Sequence, residues 1–259
     1  MELKYIQVKL DESKIYRLIE EIQNELKYKN RFQNNKLDKI IDYILYAEAN
    51  LAYMRKGMVL YRARIYTKPD AQEKFALKNA EDFNGYDKEN SFINKNFDLV
   101  SEGRCNPKWI PYLYASKSAK CCIHEVRPKI NDFVSVAKLK INSGLKIIDL
   151  SCSSAWYMRD GYDEIVPGRS NHWLCIYIGD LFSTPYQHEN DYLITQYISE
   201  KIKNAGYDGI AYKSSLYDGN NDVNFVVFNY DKCEVIGSEL YRIRALDVKY
   251  EKSKQKNKK

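Results

Sequence analysis

The 259-residue chain is poor in the groups that build metal and redox chemistry. It has three histidines, at 124, 172 and 188, and no His-x-x-x-His pair. Its six cysteines, at 105, 121, 122, 152, 175 and 233, include no Cys-x-x-Cys, so a structural zinc site has no supporting pattern. Also missing are a Gly-rich phosphate loop, a kinase signature and a Gly-x-Ser-x-Gly elbow. Long apolar runs are lacking too. The longest spans Trp173 to Ile178, far short of the ~20 residues that cross a bilayer. Met1-Glu2-Leu3-Lys4-Tyr5 lacks a signal peptide's apolar run, which predicts a soluble, cytoplasmic protein with reduced thiols.

What is present is ordinary globular composition, 44% apolar and 29% charged. The net charge of +6 would suggest nucleic acid until it is located. Residues 249–259 hold six lysines and one glutamate, +5 in all, leaving a body near neutrality. A near-neutral body argues against a large phosphate-backbone footprint, so no specific nucleic acid is expected, and the tail reads as a disordered solubilising end.

Helical spacing runs through Ile15, Leu18, Ile19, Ile22 and Leu26, with Asp11 as cap. It breaks at Asn34-Asn35 and resumes through Leu37, Ile40, Ile41, Ile44, Leu45 and Leu51. A helical hairpin burying its stripe against the following domain, or against a second copy, is predicted. Strands are predicted over Met58–Ile65, Pro111–Ala115, Phe133–Ile141, Lys146–Leu150, Trp173–Ile178, Gly209–Lys213 and Val223–Phe228. Ser118 can cap a short helix stopped by Pro128, and Asp191–Ala205 reads as a helix ended by Gly206. Residues 66–102 read as a long loop with one short helix, the kind of segment that forms lids or insertions. The order is that of an α+β domain, without the alternation of a doubly wound sheet. The division predicted is a helical extension over 1–56, a catalytic domain over 57–246 and a basic tail over 247–259.

Four segments concentrate polar residues beside apolar strand. In Leu60-Tyr61-Arg62-Ala63-Arg64 a strand puts both arginines on one face, and an inward arginine needs an anion, either a protein carboxylate or a ligand phosphate. Gly103-Arg104-Cys105-Asn106-Pro107 precedes Leu113-Tyr114-Ala115-Ser116. Glu125 borders the buried face of the short helix, where it could equally pair with Arg127. Gly209-Ile210-Ala211-Tyr212-Lys213-Ser214 leads through Asp218-Gly219 to Asn224-Phe225-Val226-Val227-Phe228, and Ser214 alone could be a turn residue.

Taken in order, over residues 57–243, these segments resemble the RES-domain family, named for an Arg, a Glu and a Ser. The resemblance implies a fold similar to diphtheria-toxin-type ADP-ribosyltransferases and an enzyme that consumes NAD. Within the family, many members are toxins of toxin–antitoxin pairs acting as NAD phosphorylases, NAD glycohydrolases or ADP-ribosyltransferases. Carried across, Arg62, Glu125 and Ser214 take the name-giving catalytic positions, Tyr114 the aromatic position, and Arg104 and Asn224 supporting substrate-binding positions. NAD is then the substrate, inorganic phosphate a co-substrate, and no metal or other cofactor is required. A cognate antitoxin or inhibitor is the implied partner, with a homo-oligomer allowed and no membrane. A non-catalytic nucleotide-binding module is the rival of a different class. One departure stands out: Lys108-Trp109-Ile110 occupies the place where relatives commonly have a glycine after Asn-Pro.

Overall fold

The computed structural model describes residues 12–46, 50–76, 83–151, 172–184, 192–217 and 223–247. The Asp11 cap, the Asp218-Gly219 loop and the basic tail from 249 lie outside them.

The chain opens with the predicted hairpin, α1 (Glu12–Tyr28) and α2 (Asn35–Tyr46). Asn34 makes the break between them: its Oδ1 accepts the Lys36 and Leu37 backbone N–H groups and so caps α2. The stripe is fully used. Ile15, Ile19, Ile22, Leu26, Leu37, Ile40, Ile41 and Ile44 are all buried in the largest apolar cluster. Their partners include Ile194, Ile198 and Ile202 of α7 (Leu193–Asn204). The Tyr197 hydroxyl donates to Asp38 (2.8 Å) and accepts from the Asn34 backbone (3.0 Å), and Lys201 pairs with Asp38. Gly206, with φ +87°, follows α7 in the left-handed conformation that glycine tolerates.

Eight strands form one sheet in the order β1-β5-β6-β7-β3-β2-β4-β8. They are β1 (Leu51–Met54), β2 (Val59–Ile65), β3 (Leu113–Ser116), β4 (Phe133–Ile141), β5 (Leu145–Asp149), β6 (Gly209–Lys213), β7 (Val223–Val227) and β8 (Cys233–Arg242). β5 and β6 run parallel and the other pairs are antiparallel. One sheet face carries the cluster with α1, α2, α7 and α6 (His172–Ser183). The other buries Leu60, Leu113, Leu139, Ile147, Phe225 and Val227.

The α+β class and the N-terminal helical extension both stand, with three corrections. Leu51, assigned to the second helical stripe, lies in β1, so the end of the extension supplies an edge strand paired with β5. Trp173–Ile178, predicted as a strand, belongs to helix α6, because a six-residue apolar run does not discriminate strand from buried helix. Its continuation, Ile178 to Phe182, is buried at i, i+4 spacing. β8 was not predicted at all.

The segment 66–102 holds α3 (Ala71–Ala76), α4 (Lys88–Ser91) and a 3₁₀ turn at Phe97–Leu99. It is fastened to the sheet rather than free over it. Tyr86 N donates to Ser135 Oγ (2.8 Å), Ser238 Oγ donates to Tyr86 O (2.6 Å), and Ile93 is buried in the second cluster.

Candidate active site

Helix α5 (Ala119–Glu125) begins at Ser118, whose Oγ accepts from Cys121 N. It packs Cys122, Ala119 and Ile123 against Ala63, Val134 and Val136, and its last residue is Glu125. One oxygen of that carboxylate is fixed from two sides. Ser214 Oγ, just beyond β6, donates to Glu125 Oε1 at 2.7 Å, and Asn224 Nδ2 on β7 donates to the same atom at 2.7 Å. Behind them, Asn224 Oδ1 accepts from Ser116 Oγ (2.6 Å), and Ser214 Oγ accepts from the Leu216 and Tyr217 backbone N–H groups. Ser116, Ser214 and Asn224 are buried, so the donors are desolvated and pre-set. Glu125 is half-buried, and its Oε2 has no partner among the described residues.

A second group centres on Arg62. β2 pairs with β4 along all seven residues, but with β3 only at Tyr61↔Ser116. Beyond that pair β2 and β3 part. Arg62, the next residue, donates from Nη1 to Tyr114 O across the gap (2.9 Å). Its Nε is buried without a hydrogen-bond partner, and it makes no ion pair among the described residues. Burial and the neighbouring Arg64 lower its pKa to about 10, which leaves it charged at neutral pH.

The Tyr114 hydroxyl braces the Gly103–Pro107 loop. It donates to Asn106 Oδ1 (2.7 Å) and accepts from Cys105 N (3.0 Å). From α7, Thr195 Oγ1 donates to Arg104 O and Gln196 Nε2 to Gly103 O and Asn106 O. The approach at Gly103 is so close that a Cβ would stand 2.8 Å from the Tyr114 hydroxyl oxygen, hence glycine. The loop presents Arg104, whose Nη1 donates to Phe182 O in the last turn of α6 (2.6 Å) and whose guanidinium lies 5.9 Å from the Tyr212 ring centroid. Trp109, inside the Lys108-Trp109-Ile110 segment that follows Asn-Pro, has φ +72°. A positive φ is uncommon for so bulky a residue.

Glu125, Ser214 and Asn224 therefore meet directly, and Arg62, Tyr114 and Arg104 are joined through one strand and one loop. Among the described residues no hydrogen bond joins the two groups. Two further side chains interact electrostatically with members of these groups. Tyr212, buried and opposite Asn224 in the β6–β7 register, is within electrostatic reach of both Arg104 and Glu125, and burial raises its pKa. Cys122, one helical turn before Glu125, is within reach of Arg62, and burial pushes its thiol up as well. Neither was given a site role from sequence, although Tyr212 stands in the Tyr-x-Ser segment before Asn224. Tyr212 was legible in principle, since two residues before Ser214 on a strand is the same face.

A fixed carboxylate with one oxygen unpartnered among the described residues, and a guanidinium with no ion pair among them, are groups suited to a substrate with a developing positive centre and an anionic arm. The RES-domain family model matches residues 79–248, and the chain belongs to this family. The match takes in Arg104, Tyr114, Glu125, Ser214 and Asn224 and begins after Arg62. No curated protein matches the chain. Among solved structures it is similar to one described as the crystal structure of the M. tuberculosis MbcT–MbcA toxin–antitoxin complex. The two are 14% identical with a TM-score of 0.41, and the likeness covers 80% of this chain and 94% of that one.

Proposed function

We propose that this chain cleaves the nicotinamide–ribose bond of NAD, as an NAD phosphorylase or an NAD glycohydrolase, and that it is a cytoplasmic toxin held in check by a cognate antitoxin. The observation that carries the reading is Glu125, clamped at Oε1 by Ser214 and Asn224, with Oε2 unpartnered among the described residues. Breaking an N-glycosidic bond builds oxocarbenium character at the ribose carbon, and a preorganised carboxylate stabilises that charge. Glu125 is then the catalytic residue. Ser214, which donates its hydroxyl proton to Glu125, and Asn224 are positioning residues. Arg62 offers its remaining N–H groups to the pyrophosphate, for which a planar guanidinium is matched. Tyr114 and Arg104 shape the neighbouring wall through the Gly103–Pro107 loop. Nicotinamide leaves as a neutral base, so the reaction asks for no metal and no strong general acid; phosphate or water attacks the ribose carbon and gives up its proton to solvent.

The test is purified protein with NAD, with and without inorganic phosphate, followed by nicotinamide release. Release that depends on phosphate identifies the phosphorylase, and release in water alone the glycohydrolase. Label appearing on a protein or nucleotide acceptor identifies ADP-ribosyl transfer. Binding of NAD without release leaves a non-catalytic module and sinks the proposal.

A further inference from the structure

From the geometry of β2 we infer that Arg64 joins Arg62 in a two-arginine clamp for a diphosphate group, with α4 and its flanking residues as part of that binding site. Both arginines alternate with Tyr61 and Ala63 along one strand and so project to the same side, opposite the small residues Ala137 and Ser135 of β4. Each guanidinium is oriented by a backbone carbonyl, not by an acid. Arg62 donates to Tyr114 O at the β2–β3 gap, and Arg64 Nη1 donates to Asn90 O of α4. A carbonyl fixes direction without cancelling charge. The acids nearest in sequence to that anchor are engaged elsewhere: Glu89 pairs with Lys95, while Asp87 caps α4 and faces Lys68. Neither arginine has an ion pair among the described residues.

Two like charges are thus held close enough for Arg64 to weaken the Arg62 cation, and Arg62 Nε is buried without a partner among the described residues. Two guanidinium groups whose charges repel suit a divalent anion with several acceptor oxygens. The identity of the diphosphate as that of a dinucleotide rests on the NAD reading; the clamp itself does not.

The experiment is calorimetric titration of the full chain with inorganic pyrophosphate, orthophosphate and ADP-ribose, in wild type, Arg64→Lys and Arg64→Gln, with the melting temperature of each unliganded protein as the folding check. Wild type should bind pyrophosphate more tightly than orthophosphate, and added salt should weaken it. Arg64→Gln should lose about tenfold or more of pyrophosphate affinity, the loss of one charge-assisted pair, and Arg64→Lys should fall between. Tighter binding of ADP-ribose than of pyrophosphate identifies the dinucleotide arm as the natural ligand. If Arg64→Gln and Arg64→Lys bind pyrophosphate as wild type does, or wild type does not prefer it to orthophosphate, the clamp is overturned. Pyrophosphate binding without nicotinamide release from NAD would instead refute the cleavage reading and leave the clamp standing.

Discussion

Among the described residues Glu125 accepts two hydrogen bonds on one oxygen and none on the other, and this asymmetry makes its charge usable. Glu125→Gln keeps the shape and removes the charge. We expect nicotinamide release to fall about 10²- to 10³-fold, the usual effect of losing one preorganised electrostatic group, with NAD binding much less affected because the arginines are untouched. A variant within threefold of wild type would make Glu125 a structural carboxylate. Asp208 is the contrasting case, a buried acid with no free valence. Burial raises its pKa, but the Lys232 ammonium, Asn229 and the Lys146 backbone N–H outweigh that and hold it below the ordinary carboxylate value. A carboxyl depressed in the folded state contributes stability that is complete above its unfolded pKa and is lost as pH falls through the folded value. Removing it with Asp208→Ala takes the acceptor from Asn229 and the Lys146 N–H, while the partly exposed Lys232 can turn to water; it should cost about 1–3 kcal/mol at pH 7, and the penalty should shrink on acidification below pH 4. An equal penalty at pH 7 and pH 3, read by chemical denaturation, would contradict this. The residues of the candidate site were picked out in the sequence through the resemblance of their order and spacing to the RES-domain pattern. Their division into a carboxylate group and an arginine–tyrosine group was not, because it depends on where β2 and β3 part, which no local pattern encodes.

Among the elements, those with strong periodicity were readable and those without were not. Phe133–Ile141 was predicted with the bounds that β4 has, and the hairpin stripe was named nearly residue by residue. Helix α6 was mistaken for a strand because its most apolar stretch is short and carries no polar face to report a period. β8 was missed although its burial largely alternates; its charged positions are turned outward and pair across the sheet, as Glu239 does with Lys138. The hairpin is the element with a stability role. Leu37, at the start of α2 and fully buried in the main cluster, should cost about 2–5 kcal/mol on change to alanine through lost burial and the cavity left behind. Thermal unfolding should drop cooperatively, since the same cluster holds Ile198, Ile202 and Ile210. Separate unfolding of the hairpin ahead of the sheet would show that the two do not share one core.

At the scale of the whole molecule the decisive quantity is where the charge lies. Of 41 basic residues six fall in 249–259, against one of 35 acidic residues, so the tail supplies nearly all of the +6. The body is balanced, and several of its cations are already paired, Lys36 with Glu21 and Glu25, Lys138 with Glu239, and Lys232 with Asp208. Long-range attraction to a polyanion therefore belongs to the tail, whereas binding of a small dianion belongs to the two arginines of β2, which carry their charge at short range in a half-buried setting. The two should separate cleanly. A chain ending at Val248 should turn over NAD within about twofold of the full chain at physiological salt, where a Debye length of ~8 Å screens charge on one part of a protein from another. Binding to nonspecific DNA or RNA, by contrast, should weaken on the same truncation, and in the full chain should fall steeply with salt as counterions are no longer gained by release. Filter binding and nicotinamide release on the same two proteins, each across a salt series, read both effects. Salt-resistant binding of nucleic acid by the shortened chain would mean that the balanced body has a recognition surface of its own.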